Sequence, residues 1–134
     1  MTSGSLFDPI TVGSLTLRNR VMRSATAERL TERETGAPRP ALGALYERLA
    51  RGGVGVIVTG HAYVQPGGRA HDEMTSLADD AVIGPWRATI AAAQALGARV
   101  MVQINHAGSN CDQAATPDPV SPSGVATSDR ARPR

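Results

Sequence analysis

Two short apolar runs place the strongest constraint on the fold. The segments VGVIVTG, residues 54–60, and ARVMVQI, residues 98–104, are almost entirely apolar and rich in β-branched residues. Each follows a stretch in which apolar residues recur at helical spacing. A continuous apolar run of this length is typical of a strand that is covered on both faces, as in a parallel sheet. The order of the segments therefore predicts successive βα units in an α/β fold.

Turn signals predict a small hairpin ahead of these units. In ITVGSLTLRNR, residues 10–20, apolar and polar residues alternate on both sides of Gly13-Ser14. This pattern is typical of two strands joined by a two-residue turn in which glycine supplies a positive φ angle. The next segment, RVMRSAT at residues 20–26, is a candidate for a third short strand.

Two helices are predicted between the strands, and the polar stretches 28–38 and 61–77 are predicted loops. Pro40 suits the first turn of the first helix, which ends at Gly52-Gly53. The second helix begins at a cap formed by Asp79 and Asp80 and stops at Gly97. The residues expected to face the core are Leu42, Leu45, Tyr46 and Leu49 on the first helix and Val82, Ile83, Trp86, Ile90 and Ala93 on the second.

Composition argues against several classes of protein. A chain of 134 residues is typical of one domain, and a net charge of +2 with 3% aromatic residues does not suit a nucleic-acid surface. The single cysteine, Cys111, excludes an internal disulfide and fits a reducing compartment. The segment MTSGSLFDPI has no signal-peptide pattern, and no run of about 18 apolar residues occurs. We therefore expect a soluble cytoplasmic protein that contacts neither membrane nor nucleic acid.

Polar clusters follow all three predicted strands of the sheet. They are RSATAE, TGHAYV and QINHAG. The ends of parallel strands meet at one rim of the sheet, where α/β folds carry their chemistry. A single polar residue at such a place commonly pairs with a neighbouring loop. With three such clusters on one rim, a ligand-binding site and simple pairing with neighbouring loops are equally good interpretations.

Three longer segments carry a resemblance to a known family. LFDPITVGSLTLRNRVMRSAT, YERLARGGVGVIVTGHAYV and VQINHAG resemble the successive N-terminal motifs of the old yellow enzyme family of FMN-dependent NAD(P)H oxidoreductases. The similarity extends from Leu6 to Gly108 with the spacing kept. It implies a TIM (β/α)8 barrel, of which this chain supplies the N-terminal hairpin and roughly the first three βα units. It further implies noncovalent FMN, hydride transfer from NADH or NADPH, and an activated alkene or related small molecule as acceptor.

The resemblance also implies a set of cofactor-binding residues. Gln103 matches the glutamine of the third strand, whose amide can both accept from and donate to the pyrimidine edge of the flavin. The backbone of the first strand end lies along the flavin ring, and that of the second strand end donates near its carbonyl and N5. In this sequence these two segments are Ser24, Ala25, Thr26 and Ala27, followed by Gly60 and His61. His106 belongs to the HAG motif without an assigned role, and the catalytic residues remain unknown.

Two positions depart from the family pattern. Ala27 stands where the family commonly has Thr or Cys beside the flavin, and alanine offers no hydrogen bond there. We therefore expect a flavin that is harder to reduce than in Thr-bearing relatives. Ser109 stands where the motif usually ends with arginine.

The length of the chain is the third departure, because a TIM barrel takes about 250 residues. The late substrate-binding pair, the proton-donating tyrosine and the phosphate-binding loops that the family implies have no match here. Residues 110–134 are expected to be a loop or a disordered tail of a single FMN-binding domain. An open sheet exposes an unpaired edge, so we expect self-association or a complementing C-terminal chain, and no turnover by the 134-residue polypeptide alone.

Several alternatives remain to be weighed. A different phosphate-binding TIM barrel, or an inactive truncated or split-barrel subunit with a structural role, would share the same pattern. No zinc site is expected from His61, His71, His106 and Cys111, whose spacing lacks the usual compact motifs. The glycines of GGVGVIVTG precede a strand and do not open a helix, which argues against a dinucleotide fingerprint. Cys111 has no evident activating base, and ERLTERE at residues 28–34 is expected to be a solvated loop.

Overall fold

The computed structural model describes residues 4–125 and begins with the predicted hairpin. Strands β1, Ile10–Val12, and β2, Leu15–Leu17, are antiparallel, with Ile10 opposite Leu17. Gly13 adopts a φ angle of +59° in the connecting turn, which explains why glycine stands there. The hairpin prediction is confirmed.

A parallel sheet follows the hairpin. Its strands are β3, Met22–Arg23, β4, Val56–Tyr63, β5, Thr75–Ser76, and β6, Arg99–Asn105. The central strand is β4, because β3 and β5 pair with successive parts of one edge and β6 pairs along the other. All three pairings are parallel, as the two continuous apolar runs predict.

Two helices cover one face of this sheet. Helix α1, Pro40–Arg51, and helix α2, Ile83–Ala95, pack against one another and enclose the core. A 3₁₀ turn at Asp80–Val82 precedes α2, and the Asp79 carboxylate caps it by accepting from the N–H of Ala81 at 2.7 Å. The core comprises Leu42, Tyr46, Ala50, Ile57, Ala62, Val82, Trp86, Ala93 and Ala98.

The prediction that Ile83 faces the core is wrong, since its side chain is 50% exposed. The cause is the 3₁₀ turn, which has three residues per turn and therefore shifts the angular position of the first residues of α2. Val82, Trp86 and Ala93 are buried as predicted.

Arg18, just after the hairpin, ties the hairpin to the ends of both helices. Its guanidinium donates to the carbonyls of Ala50 and Leu96 at 2.7 Å and to that of Val54 at 2.6 Å. These carbonyls lie at or just beyond the C-terminal ends of the helices, where backbone acceptors lack helical partners and a positive charge is favourable. The hairpin is therefore anchored beneath the sheet, at the end opposite the polar clusters.

A bulge in β4 sets which side chains face away from the helices. Ile57 and Ala62 both pack in the helix-covered core although they are five positions apart, an odd offset that would place them on opposite faces of a regular strand. The register with β6 shifts between Val58 and His61, which accounts for this. Beyond this shift His61 lies opposite Gln103. Register partners in a parallel pair point to the same side of the sheet, so His61 and Gln103 share the side away from the helices.

Strand β4 is longer than predicted. The sequence places residues from His61 onward in a loop, whereas the structure continues the strand to Tyr63. Pairing explains the difference, because β5 bonds to one edge of this upper part while β6 bonds to the other.

The far edge of β6 has no partner strand within residues 4–125. Val102 and Ile104 of this strand are 42% and 68% exposed.

The segment after β6 contains a single 3₁₀ turn, Gly108–Asn110, and otherwise irregular structure up to residue 125. It packs on the loop that follows β4: the N–H of Asp112 donates to the carbonyl of Ala70 at 2.7 Å, and Thr116 Oγ1 donates to that of Arg69 at 2.7 Å. Cys111 is buried in this contact. The remainder of the predicted tail, residues 126–134, lies outside the described residues.

Candidate functional site

The ends of β3, β4 and β6 form one rim, and the sequence-predicted site residues meet there. The segment from Ser24 to Ala27 leaves β3, Gly60 and His61 lie in the upper half of β4, and Gln103 lies beside them in β6. The sequence therefore predicted their convergence correctly. How each residue is paired distinguishes the groups that are free to bind a ligand from those that hold the rim together.

Gln103 offers a free amide on the exposed side of the sheet. Its backbone N–H donates to Thr59 Oγ1 at 3.2 Å, which fixes the strand, while its side-chain amide makes no hydrogen bond to the rest of residues 4–125. The side chain is exposed. One acceptor and two donor hydrogens are thus presented from a rigid strand, an arrangement that suits a planar ligand edge with adjacent N–H and carbonyl groups.

The segment after β3 presents backbone and little side chain. Ser24, Thr26 and Ala27 are exposed, and Thr26 Oγ1 donates to the carbonyl of Ser24 at 3.3 Å. Ala25 is half-buried. An exposed, extended backbone of this kind gives a flat ligand both a surface and hydrogen-bonding groups.

Directly behind this segment lies a buried carboxylate that sequence reasoning missed. The side chain of Glu28 is 6% exposed and forms an ion pair with Arg23 at 2.6 Å. It also accepts from the Tyr46 hydroxyl at 2.9 Å and from the N–H of Gly60 at 3.0 and 3.2 Å. For Glu28 the expectation of a solvated loop is therefore wrong, since its charge is balanced and its oxygens are occupied. The distant donors, from α1 and β4, left no signal in the sequence around Glu28.

Gly60 has a different role from the one that the resemblance implies. Its N–H points at Glu28 and is not available to donate to a flavin. A Cβ atom at this position would collide with Glu28 Oε2 and would lie 2.7 Å from the carbonyl oxygen of Thr26. The absence of a side chain lets the segment after β3 lie directly on β4.

Tyr46 holds the other side of Glu28. Burial, and then the negative charge of Glu28, raise the pKa of Tyr46 well above the ordinary value of 10.0. The hydroxyl is therefore a protonated donor throughout the neutral range. Helix α1, strand β4 and the segment after β3 consequently meet at one carboxylate.

A pair of histidines lies beside this network. The Nε2 atoms of His61 and His71 are 3.2 Å apart, and the Nδ1 atom of His61 lies 3.1 Å from Nδ2 of Asn105. Burial, followed by the nearby charge of His61, lowers the pKa of His71 below 6.5. In the described part of the chain no three His, Cys, Asp or Glu side chains converge as metal ligands would.

Two arginines extend over the outer side of the rim. Arg29 has a φ angle of +56°, the single positive value at a non-glycine position among residues 4–125, and its guanidinium lies 3.6 Å from Glu73. Arg33 contacts the same carboxylate at 3.2 Å. The left-handed backbone at Arg29 turns the chain directly after the buried Glu28.

His106 lies away from the histidine pair. Its Nε2 atom is 2.7 Å from Nε2 of Gln65, and its ring covers Gly68, where a Cβ atom would meet it at 2.5 Å. This contact holds the end of β6 against the 3₁₀ turn at Pro66–Gly68.

No helix among residues 4–125 is long and apolar enough to cross a membrane.

Comparison with known proteins connects this rim to a family. The model of the NADH:flavin oxidoreductase / NADH oxidase family matches residues 5–132. A 4,4'-dithiodibutanoate disulfide reductase of Rhodococcus erythropolis is 38% identical over 104 residues, which is 78% of this chain and 25% of that protein. An NADPH dehydrogenase of Bacillus licheniformis is 30% identical over 108 residues, or 81% of this chain and 32% of that protein.

Solved structures agree with these sequences. A morphinone reductase superposes with a TM-score of 0.82 at 26% identity, covering 92% of this chain and 33% of its own. An old yellow enzyme homologue from Zymomonas mobilis superposes with a TM-score of 0.83 at 21% identity, covering 98% and 38%, and bears on the fold alone. The sheet, helices and hairpin are thus those of the old yellow enzyme TIM barrel, of which this chain spans about a third.

Proposed function

The chain belongs to the NADH:flavin oxidoreductase / NADH oxidase family, and on that basis we propose that its rim binds FMN in an FMN-dependent NAD(P)H oxidoreductase. Bound FMN would take up a hydride from NADH or NADPH and pass it to an activated alkene or related acceptor. The chain covers only 18–32% of the length of these relatives, so the activity is proposed for the protein in which this rim operates.

The free amide of Gln103 is the observation that carries the proposal. Its oxygen can accept from a flavin ring N–H while its nitrogen donates to the adjacent carbonyl. The exposed backbone from Ser24 to Ala27 supplies the surface along the ring. These groups fit the flavin ring, whereas the groups that would hold its phosphate have no match in residues 4–125.

The remaining rim residues have supporting roles. His61 lies beside Gln103 and is proposed to contact the same ligand through its backbone. Gly60 contributes the close approach of the segment after β3 but not a donor. Glu28, Arg23 and Tyr46 hold that segment in place, so the rim is already ordered before a ligand binds.

A second candidate function follows from the open edge of β6. The exposed apolar residues of this edge suit a subunit that is completed by another chain or by a second copy, with a structural role of its own. The buried single cysteine is compatible with a cytoplasmic site for either function.

The test is a visible absorption spectrum and an intact mass of the protein purified from its native source, followed by FMN titration of variants. We expect flavin bands, and we expect Gln103→Leu to weaken FMN binding by roughly tenfold to 100-fold, the cost of two lost polar contacts. Gln113→Leu, an exposed glutamine beyond the rim, is the matched control and should bind as the wild type does. A colourless protein that takes up no FMN would favour the structural alternative.

A further inference from the structure

Three arginines gather along the outer side of the rim. Arg29 and Arg33 belong to the segment after β3, and Arg69 belongs to the loop after β4. The guanidiniums of Arg29 and Arg33 contact the two oxygens of a single carboxylate, that of Glu73, at 3.6 and 3.2 Å. Arg69 donates to the carbonyl oxygens of Arg33 and Asp72, and so joins the loop to the segment. We call these three residues the arginine cluster.

The arginine cluster is not fully neutralised. Three guanidiniums stand against the carboxylate of Glu73, and with Asp72 of the same loop included the balance is still positive. The buried Glu28 adds no free negative charge, since it is already paired at 2.6 Å with an arginine of β3. Glu34, further along the segment, forms no ion pair with the cluster. A net positive charge at an open rim attracts anions.

Most of the N–H groups of Arg29 and Arg33 are unoccupied. The contact of Arg29 with Glu73 exceeds hydrogen-bond distance, so its guanidinium donates no hydrogen bond within residues 4–125. Arg33 donates one, and the two side chains are 64% and 62% exposed. Arg23, by contrast, is 17% exposed and directs its donors to a carboxylate and two backbone carbonyls. A free guanidinium can hold a carboxylate or phosphate through two parallel hydrogen bonds.

The backbone holds Arg29 in a conformation that side chains with a Cβ atom disfavour. Its φ angle of +56° lies in the left-handed region, which glycine would adopt without strain. Backbone strain of this kind clusters at active sites and ligand-binding sites. Arg29 is two residues beyond Ala27, so the two Cα atoms lie within about 7 Å of one another. An exposed guanidinium is therefore retained, at a cost in backbone strain, beside the proposed position of the flavin ring.

We propose that Arg29 and Arg33 bind an oxyanion carried by a substrate of the flavin site, and that Arg69 positions Arg33 for this contact. The step rests on the proposed function and names its substrate class, an activated alkene or related acceptor that carries a carboxylate. The 2'-phosphate of NADPH presents oxygens of the same kind, so the experiment must separate these two sources. Glu73 holds the two guanidiniums side by side and competes with the ligand for them.

The acceptor is tested on the natural protein loaded with FMN, with two aldehydes that share one activated alkene, 4-carboxycinnamaldehyde and its methyl ester. We expect Arg29→Gln and Arg33→Gln each to raise KM for the acid by roughly threefold to tenfold, as for a charged contact open to water. KM for the ester should not change. Added salt should raise KM for the acid more in the wild type than in either variant.

Arg51→Gln is the matched control for these variants. Arg51 is 66% exposed and forms an ion pair with Glu47 at 2.6 Å on helix α1, away from the rim. Its removal changes the net charge by the same amount as the removal of Arg29. KM should therefore stay at the wild-type value for both aldehydes, and a rise for the acid equal to that in Arg29→Gln would contradict a local site.

Two further variants separate binding from folding. Glu73→Gln removes the competing charge and should lower KM for the acid by roughly twofold to threefold, whereas a cluster with a structural role alone would show no such gain. Arg29→Gly removes the guanidinium but suits the left-handed backbone. Its unfolding temperature should not fall below that of the wild type, while its KM for the acid should rise.

The second source is tested with NADPH and NADH as hydride donors. If Arg29→Gln raises KM for NADPH alone, the bound oxyanion is the phosphate of the dinucleotide. Equal KM values in the wild type and both glutamine variants, for both aldehydes and both dinucleotides, overturn the site. A protein that binds no FMN overturns the proposed function. Equilibrium dialysis of 4-carboxycinnamaldehyde against the wild type and Arg29→Gln then decides the anion site separately, and equal binding would overturn it.

Discussion

The Tyr46 hydroxyl donates a hydrogen bond of 2.9 Å to Glu28, a carboxylate that also accepts from the backbone N–H of Gly60. These hydrogen bonds connect helix α1 to the upper part of β4, beneath the proposed flavin site. Because the carboxylate is buried, removing any one of its donors leaves a charged acceptor short of a partner.

Tyr46→Phe tests this contact. We expect the free energy of unfolding to fall by about 2 kcal/mol at neutral pH, the usual worth of a hydrogen bond to a charged group. The raised pKa of Tyr46 means that its contribution is present below pH 10 and is lost as the pH rises beyond the ordinary value of 10.0. The difference between wild type and variant should therefore shrink above pH 10. Urea unfolding at several pH values measures it.

Tyr63→Phe is the matched control for that experiment. Tyr63 is also buried, but its hydroxyl donates to the neutral carbonyl of Thr35 at 3.4 Å. A smaller loss of stability is expected at neutral pH. An equal loss in both variants would contradict the special role of the Glu28 contact.

Gly60→Ala tests the close approach of the segment after β3. The added methyl group would meet the Glu28 carboxylate and the carbonyl of Thr26, so we expect a loss of about 1–3 kcal/mol in stability and weaker FMN binding. Gly84→Ala serves as the control. Gly84 lies in α2, and a Cβ atom added there would have no neighbouring heavy atom within 4 Å. Thermal unfolding and FMN titration measure the two effects. If Gly60→Ala has the stability and FMN affinity of the wild type, the steric clash with Glu28 and Thr26 does not occur.

Ala27→Thr tests the expected effect of alanine on the flavin. Ala27 is exposed beside the proposed ring position and offers no side-chain hydrogen bond. A hydroxyl there can donate to the reduced ring, so the variant should have a higher midpoint potential than the wild type. Ala27→Val adds similar bulk without a hydroxyl and should not raise it. Spectroelectrochemistry supplies the values, and equal potentials for the threonine and valine variants would rule the effect out.

His71 should make stability depend on pH in the acidic range. Its pKa is lowered in the folded protein, so the unfolded chain binds the proton more readily, and stability falls as the pH drops below 6.5. His71→Gln should show a flatter decline below that pH than the wild type. Chemical unfolding from neutral to acidic pH measures both, and parallel curves for wild type and His71→Gln would contradict the assignment.

The convergence of the predicted site residues was accessible from sequence because it depends on periodicity along the chain. Apolar runs with β-branched residues identify β4 and β6, and the ends of parallel strands necessarily share a rim. The hairpin was accessible for a similar reason, since Gly13 alone satisfies the positive φ of its turn. The roles of Gln103 and of the segment from Ser24 to Ala27 came from family resemblance and stay predictions.

The pairing of the polar groups was decided only by the tertiary structure. Glu28 lies in a run of charged residues that reads as solvated, yet its partners come from α1 and from β4, 18 and 32 residues away. The bulge between Val58 and His61 likewise appears only when β4 is paired with β6, and it places His61 opposite Gln103. The sequence by itself determined the hairpin, the two helices, the apolar strands and the common rim, because local conformational preferences and burial patterns specify them, whereas the upper part of β4 and the short strand β5 lie in a stretch that was predicted to be a loop. Which rim groups bind a ligand and which bind one another depends on contacts between distant segments, and these exist only in the folded chain.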